Sequence, residues 1–129
     1  MKVYVAGPMR GIPEFNYPAF TTATAKLRTQ GHEVFNPTEQ DLIRDNKDWG
    51  REVPSGNLRE AEAKGFSLRT ALGDDLAFIC KYADAVALLP GWVHSKGARA
   101  ERATAEALGL QVILLDRNGD IAFDRVLEA

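Results

Sequence analysis

The chain has 129 residues, of which 45% are hydrophobic and 26% charged, and its formal net charge is -2. These values predict one soluble globular domain, because the chain is too short for two cores. The charge shows no basic excess, so nucleic-acid binding has no electrostatic support, and no apolar run approaches the roughly 20 residues that span a bilayer. The single cysteine, Cys80, cannot form an internal disulfide, which predicts a cytoplasmic protein. Its apolar neighbours predict that the thiol is buried.

The chain opens with an apolar segment, Lys2–Ala6, that predicts a buried strand. It runs into a turn made of Gly7, Pro8, Met9, Arg10 and Gly11. The glycines permit a close approach of backbone and ligand, and Arg10 offers a forked donor suited to phosphate. The turn is neither the dinucleotide fingerprint nor a P-loop, because the third glycine and the Gly-Lys-Ser/Thr block are missing. The alternative interpretation is that Arg10 is simply solvated. This turn alone therefore does not decide whether Arg10 contacts a ligand.

The next segments predict a helix at Tyr17–Gln30, a strand at His32–Phe35 and a helix at Ser67–Ala83. Between them, at about 38–66, the periodicity fails and polar residues, proline and glycine dominate. We expect a long excursion of loop and short helical pieces that serves as a lid or a partner contact, with a plain surface loop as the alternative. Asp74 and Asp75 are expected at the start of the following helix, where the helix dipole alone explains acidic residues.

The segment Asp84–Leu89 predicts a third strand, and after a Pro-Gly turn Ser95–Leu108 predicts a helix. In open α/β sheets ligands bind at this edge of the sheet. The free N–H groups of a helix start favour anions, so Ser95, Lys96 and Gly97 are a candidate phosphate cradle. The alternatives are a simple helix cap and a glycine needed for packing. Glu101 lies among small alanines that let another group approach, with an exposed helical glutamate as the alternative.

The last part of the chain predicts a fourth strand at Gln111–Leu115, a turn at Asp116–Asp120 and a short last helix at Ile121–Leu127. Strands that are apolar throughout argue for a parallel sheet covered on both faces. The predicted fold class is therefore α/β, with a doubly wound parallel sheet of four to five strands in one domain. Asp84 opens its strand away from the ligand edge and is expected to be structural. No cluster of His, Cys and Asp has metal-ligand spacing, so we expect no metal site.

Five blocks of this sequence together resemble the nucleoside 2-deoxyribosyltransferase superfamily, which includes 2'-deoxynucleoside 5'-phosphate N-hydrolases. The blocks are the opening Tyr4-Val-Ala-Gly-Pro-Met-Arg-Gly11, the pattern Asp75-Leu-x-x-Ile79, the pair Ala83-Asp84, the turn Leu89-Pro-Gly-Trp92 and the segment Ser95–Glu101. The resemblance implies a flavodoxin-like sheet and cleavage of an N-glycosidic bond. It is closest to a small branch of the superfamily that carries the Leu-Pro-Gly-Trp block.

The resemblance also implies roles for individual residues. Glu101 matches the nucleophile that attacks the anomeric carbon and forms a glycosyl-enzyme ester. Asp75 matches the acid that assists the departing base, and Tyr4 matches an aromatic residue that orients the nucleophile. The opening-loop residues that match the nucleotide-wrapping segment are Gly7, Met9, Arg10 and Gly11. Asn118 lies in the region from which the transferases contribute an asparagine to a neighbouring subunit.

Ser95 separates two subfamilies of this superfamily. The transferases carry an aspartate six residues before the nucleophile, where it holds the 5'-hydroxyl, whereas the nucleotide hydrolases carry a serine that binds a 5'-phosphate. A carboxylate there repels phosphate, and Arg10 and Lys96 favour it, so we expect a monophosphate substrate. Trp92 either stacks on a base, packs at a subunit contact or packs in the core.

The sequence therefore predicts an enzyme that cleaves the base from a (2'-deoxy)nucleoside 5'-monophosphate. The alternatives are a deoxyribosyltransferase that exchanges bases and a catalytically silent nucleotide-binding sensor. We expect no metal and no organic cofactor, because the nucleophile and the acid are both carboxyl groups. By resemblance, we expect a homodimer or a higher homo-oligomer.

Overall fold

The computed structural model describes residues 1–126, and side-chain burial is described as far as residue 123. Its five strands are β1 (Lys2–Ala6), β2 (Glu33–Phe35), β3 (Ala85–Leu88), β4 (Gln111–Leu115) and β5 (Ile121–Val126). Its α-helices are α1 (Tyr17–Thr29), α2 (Pro37–Asp45), α3 (Trp49–Glu52), α4 (Leu58–Ala63), α5 (Leu68–Lys81) and α6 (Lys96–Leu108). Two 3₁₀ turns, Pro13–Asn16 and Trp92–His94, complete the elements.

The strands form one sheet in the order β2-β1-β3-β4-β5. The first four strands are parallel to one another, and β5 is antiparallel to β4. This is the strand order of the flavodoxin-like doubly wound fold, in which the order reverses beside β1 and leaves a crevice at the carboxyl ends of the strands. The predicted α/β fold class is therefore confirmed.

Helices cover both faces of the sheet, as strands that are apolar on both sides require. On one face, Phe20 and Leu27 of α1 pack against Val3, Val5 and other buried strand residues. On the other face, residues of α5 and α6 such as Ile79 and Ala105 pack against side chains of the alternate strand positions. Tyr4 belongs to this second face, so the packing of β1 itself directs its hydroxyl toward α6.

The span from 38 to 66 contains α2, α3 and α4, which pack over a small core of their own. Phe15, Trp49, Val53 and Ala61 are its buried residues. The start of α2 follows from local chemistry, because the Asn36 side chain accepts from the Thr38 amide at 2.9 Å and proline occupies the first helical position. The excursion thus forms a folded layer beside the sheet edge.

The last predicted helix is wrong. Residues 121–126 form β5, and the expected end at Leu127 lies outside the described residues. The turn explains the difference: the Asp116 amide donates to the Asp120 carbonyl at 2.8 Å, and Gly119 has φ 80. A tight reversal of this kind places the following segment antiparallel beside β4.

Two further expectations on α5 are wrong. Cys80 is exposed, because the neighbouring Ile79 takes the inward face of the helix. Asp74 and Asp75 lie in the middle of α5 rather than at its start, so the helix dipole does not explain them. Asp75 is buried there, with 8% of its surface exposed, and a buried carboxyl inside a helix needs another reason.

Candidate active site

A cavity of about 260 Å³ lies where β1 and β3 end, at the carboxyl edge of the sheet. Its sheet-edge wall consists mainly of Tyr4, Arg10, Ser95, Lys96, Gly97 and Glu101. Its helical wall consists mainly of Tyr17, Asp41, Trp49, Phe66, Leu72 and Asp75. The first wall is polar and the second is largely aromatic and apolar. A concave apolar site with a few converging polar groups is the usual form of a small-molecule site.

Tyr4 and Glu101 meet at the buried end of the sheet-edge wall. The Tyr4 hydroxyl donates to Glu101 Oε2 at 2.5 Å, and the two residues are 1% and 5% exposed. The Tyr4 ring is held by stacking on Phe35, with 5.5 Å between ring centroids. Glu101 is therefore not an exposed helical glutamate: its carboxyl is buried, faces a cavity and is oriented by a fixed donor.

Asp75 brings a second buried carboxyl to the same place. Its Oδ1 atom is buried and has no hydrogen-bond partner within the described residues. Burial, followed by the charge of Asp41, raises the pKa of Asp75 to about 7. An unpaired buried oxygen on a group that is protonated near neutral pH is what a proton donor to a bound ligand requires.

The two carboxyls influence each other. Burial, and then the charge of Asp75, raises the pKa of Glu101 well above its ordinary value, while the bond from Tyr4 lowers it. Burial and both carboxyls raise the pKa of Tyr4, so its hydroxyl stays protonated and remains a donor. Two adjacent carboxyls resist ionising together, so we expect the pair to share one proton, and the hydrogen bond from Tyr4 favours the ionised form of Glu101.

The start of α6 forms the outer part of the sheet-edge wall. Ser95 caps the helix, since its Oγ accepts from the Ala98 amide at 3.2 Å. The amides of Lys96 and Gly97 lie in the first turn, whose N–H groups have no carbonyl partner within the helix. A Cβ on Gly97 meets no atom within 4 Å, so helix packing does not explain this glycine. These amides and the Lys96 ammonium make this part of the cavity suited to an anion.

The opening loop lies against the excursion. The Gly11 amide donates to the Gly56 carbonyl at 2.8 Å, and the Glu14 amide donates to the Pro54 carbonyl at the same distance. Between these bonds and β1, Met9 and Arg10 line the cavity. Gly7 has a different reason to be glycine, because a Cβ there lies 2.7 Å from the Leu89 Cβ.

Three of the predicted binding residues are not among those that line the cavity. Gly11 is part of the opening loop, and its amide bonds the Gly56 carbonyl. Trp92 is half-buried against the core beside α6, with the Arg102 guanidinium 5.3 Å from its ring centroid. Asn118 is exposed on the turn after β4. Asp84, expected to be structural, accepts from the Lys2 amide at 2.8 Å and so joins the starts of β1 and β3.

The sequence interpretation missed Asp41, which is 5% exposed and lines the cavity from α2. Arg44 forms ion pairs with Asp41 and Asp45 at 2.9 Å each and with Asp74 at 3.2 Å. The signal that was available is the N-cap and proline at Asn36-Pro37, which predicts that α2 begins there and places Asp41 and Arg44 on one helix face. The contact with α5 has no signal in the sequence.

Two properties hold for the part of the chain that the structure describes. No group of three or more His, Cys, Asp and Glu side chains in residues 1–126 has a geometry that holds a metal ion. None of the described helices combines the length and the hydropathy needed to cross a bilayer.

The fold and the cavity define an α/β protein with a carboxyl-lined site at the carboxyl edge of its sheet. Within that class, the chain belongs to the family described as a domain of unknown function (DUF4406), whose family model matches residues 1–114. The match includes every residue that lines the cavity. No curated protein matches the chain.

Proposed function

We propose that this protein cleaves the N-glycosidic bond of (2'-deoxy)nucleoside 5'-monophosphates and releases the free base and the sugar phosphate. The observation that carries the proposal is the buried Glu101 carboxyl, held by Tyr4 in one cavity with Asp75, whose buried Oδ1 has no hydrogen-bond partner within the described residues. Two carboxyl groups with different environments are the usual equipment for glycoside cleavage. Burial of both groups costs free energy, and a binding protein has no need for that arrangement.

In the first half-reaction the Glu101 carboxylate attacks C1' of the sugar as the bond from C1' to the base nitrogen breaks. Asp75 gives its proton to the departing base, and the sugar becomes an ester of Glu101. Positive charge that develops on the sugar ring in the transition state is stabilised by the Glu101 anion. Tyr4 keeps its hydrogen bond to Glu101 Oε2, and so the other carboxylate oxygen, Oε1, is free to attack C1'.

In the second half-reaction a water molecule attacks C1' and the ester bond to Glu101 breaks. The Asp75 carboxylate accepts the proton of that water, which restores both carboxyl groups. An acceptor base in place of water gives a transferase with the same first half-reaction. The difference between the two activities is therefore one of acceptor, and a competing base in the assay distinguishes them.

The phosphate preference is supported by the start of α6. Ser95 Oγ, the amides of Lys96 and Gly97 and the Lys96 ammonium surround one part of the cavity, on the same helix as Glu101 and six to four residues before it. A 5'-phosphate bound there places the sugar between the helix start and the Glu101 carboxyl. Arg10 lines the cavity from the opening loop and adds a forked donor.

The test is incubation with a panel of nucleosides and nucleoside 5'-monophosphates, with and without an acceptor base, while free base is followed by chromatography. We expect release from monophosphates, loss of release in Glu101→Ala, and no change in Glu106→Ala. The control alters an exposed glutamate on the same helix. Ser95→Asp should lower the rate of base release from monophosphates relative to that from nucleosides, because the carboxylate repels phosphate.

Base release by Glu101→Ala at the wild-type rate contradicts the mechanism. Absence of release by the wild-type protein from every substrate, with monophosphates nevertheless bound, favours the nucleotide-binding sensor instead.

A further inference from the structure

The helical wall of the cavity has an aromatic and apolar part that the proposed reaction at Glu101 does not use. Trp49 and Phe66 meet edge to face, with 5.5 Å between ring centroids, and Leu72 lies beside them in the wall. Trp49 is 2% exposed and its indole N–H already donates to Asp45 Oδ2 at 2.9 Å. Its ring is therefore fixed in place, with Phe66 packed against it and the Lys47 ammonium 5.3 Å from its centroid.

Two polar groups lie in this apolar wall. The Tyr17 hydroxyl oxygen is buried and has no hydrogen-bond partner in the described part of the chain. Asp41 lines the same wall, and the hydrogen bond that the structure describes for its carboxyl uses Oδ1, which accepts from Arg44 at 2.9 Å. Burial, followed by the charges of Asp41 and Asp48, raises the pKa of Tyr17, while the Trp49 backbone lowers it. A ligand edge that meets both groups can satisfy them together.

Asp41 is held rigidly by Arg44. The guanidinium bonds both oxygens of Asp45 at 2.9 Å each, bonds Asp74 of α5 at 3.2 Å, and is itself only 16% exposed. The guanidinium, fixed by its fork to Asp45, holds Asp41 Oδ1 in position, although burial still raises the pKa of Asp41 to about 6. Asp41 is thus an oriented acceptor that faces a cavity.

The three carboxyls all line the cavity, and Asp41 lies beside the helix that carries Asp75. Arg44 bonds both Asp41 and Asp74, the residue before Asp75 on α5. Burial and then the charge of Asp41 raise the pKa of Asp75, whereas burial and then the charge of Asp75 raise the pKa of Glu101. A base attached to the carbon that Glu101 attacks has its glycosidic nitrogen near Asp75 and its far edge directed toward Asp41.

We propose that the helical wall is a base subsite selective for nucleobases that carry an exocyclic amino group, with Asp41 accepting the hydrogen bond of that group. This inference rests on the proposed function of the same site. The Tyr17 hydroxyl serves the neighbouring ring position, because a hydroxyl both donates and accepts. The rings of Trp49 and Phe66 cover the apolar faces of the base.

The preference follows from the chemistry of the carboxylate. An amino group of cytosine or adenine donates to it, whereas the carbonyl oxygen of uracil or hypoxanthine brings two acceptors together in a buried place. An unmatched buried acceptor loses its hydrogen bond to water and gains none in return. A site built to receive a hydrogen bond therefore rejects the analogue that cannot donate one.

The test compares matched pairs of 2'-deoxynucleoside 5'-monophosphates: cytosine with uracil, and adenine with hypoxanthine. We expect the wild-type protein to prefer the amino base of each pair by about tenfold to a hundredfold in kcat/KM. Asp41→Asn should bring this ratio close to one, because an amide both donates and accepts. Asp74→Asn is the control: it touches the same guanidinium without lining the cavity, so the ratio should not change.

Binding of the same four monophosphates to the Glu101→Ala protein, measured by calorimetry, separates the two proposals. The amino preference in binding without any base release by the wild-type protein supports the subsite and contradicts the glycosidic function. Base release with equal efficiency for amino and carbonyl bases overturns the subsite and leaves the function standing. The wild-type comparison needs no substitution, so it remains decisive if Asp41→Asn fails to fold.

Discussion

The two walls of the cavity differ in how they are built. The sheet-edge wall comes from β1 and the start of α6, which a doubly wound sheet necessarily brings to the same edge. The helical wall comes mainly from three short helices and α5, and it keeps its shape through a separate small core and the Arg44 ion pairs. The fold thus supplies the position of the proposed nucleophile, whereas the excursion supplies the surface that selects a ligand. Substitutions in the first wall should change turnover or phosphate binding. In the second wall, substitution of Asp75, which lies where the two walls meet, should change turnover, and the others should change selectivity and stability.

The largest effect expected beyond loss of the nucleophile is that of Asp75→Asn, at the junction of the two walls. We expect kcat to fall by about 10² to 10⁴, because the departing base loses its proton donor. Asp75 donates only when protonated, and its pKa is about 7. The wild-type rate should therefore decline as the pH rises above about 7, and the variant should lack this limb of its pH profile. A variant profile that keeps the limb assigns it to another group.

Thermal unfolding controls for the fold of Asp75→Asn. The pKa of Asp75 in the folded protein is raised from 3.8 to about 7, so its contribution to stability is present at acid pH and lost as the pH rises toward 7. Relative to the wild-type protein, the variant should gain up to about 4 kcal/mol between pH 4 and pH 8. A variant that becomes relatively less stable as the pH rises contradicts the burial of an ionisable Asp75.

The next effect is on stability and concerns Arg44→Met in the helical wall. Removing the guanidinium leaves the buried Asp41 carboxylate without its partner and removes the ion pairs of the partly exposed Asp45 and Asp74. We therefore expect a loss of about 3 kcal/mol in the free energy of unfolding, measured by urea denaturation. Arg28→Met is the matched control, because Arg28 pairs with Glu39 at 2.7 Å with both side chains 47% exposed. The control should lose at most about 1 kcal/mol. Equal losses in the two variants contradict a special role for Arg44.

The smallest effect expected is that of Ser95→Ala in the sheet-edge wall. The helix loses its cap, which costs about 1 kcal/mol of stability, and a bound phosphate loses a hydroxyl donor. Ser67→Ala is matched to it, because Ser67 caps α5 through the Thr70 amide at 3.2 Å. The two variants should be destabilised alike, while only Ser95→Ala should weaken binding of inorganic phosphate, measured by calorimetry. Phosphate binding that is equal in both variants contradicts the anion site.

The sequence was informative where a short pattern determines the structure. Uniformly apolar runs identified β1, β3 and β4, and the Ser95 cap with its following small residues identified α6 and placed Glu101 at the ligand edge. The final strand was missed because Ile121–Val126 contains Asp124 and Arg125 and is not uniformly apolar, and its pairing depends on the preceding turn rather than on its own pattern.

The helical wall could not be predicted in the same way. The helices α2, α3 and α4 are four to nine residues long, which is too short for a clear hydrophobic period. The pairing of Arg44 with Asp74 joins residues 30 positions apart, and nothing local encodes it. The burial of Asp75 likewise depends on what packs over α5. Sequence patterns and the family resemblance therefore indicated the proposed nucleophile, Glu101, but not the surface opposite it.

The hydrogen bonds from Gly11 and Glu14 to the excursion have a thermodynamic consequence. They join the loop that carries Arg10 to the segment that carries Asp41 and Trp49, so a ligand that fixes the position of one of them also restrains the other. A free base and a free sugar phosphate should therefore enhance each other's affinity, and linkage requires the enhancement to be the same in both directions. The protein would then bind a free base more tightly when a sugar phosphate is already bound, and the reverse.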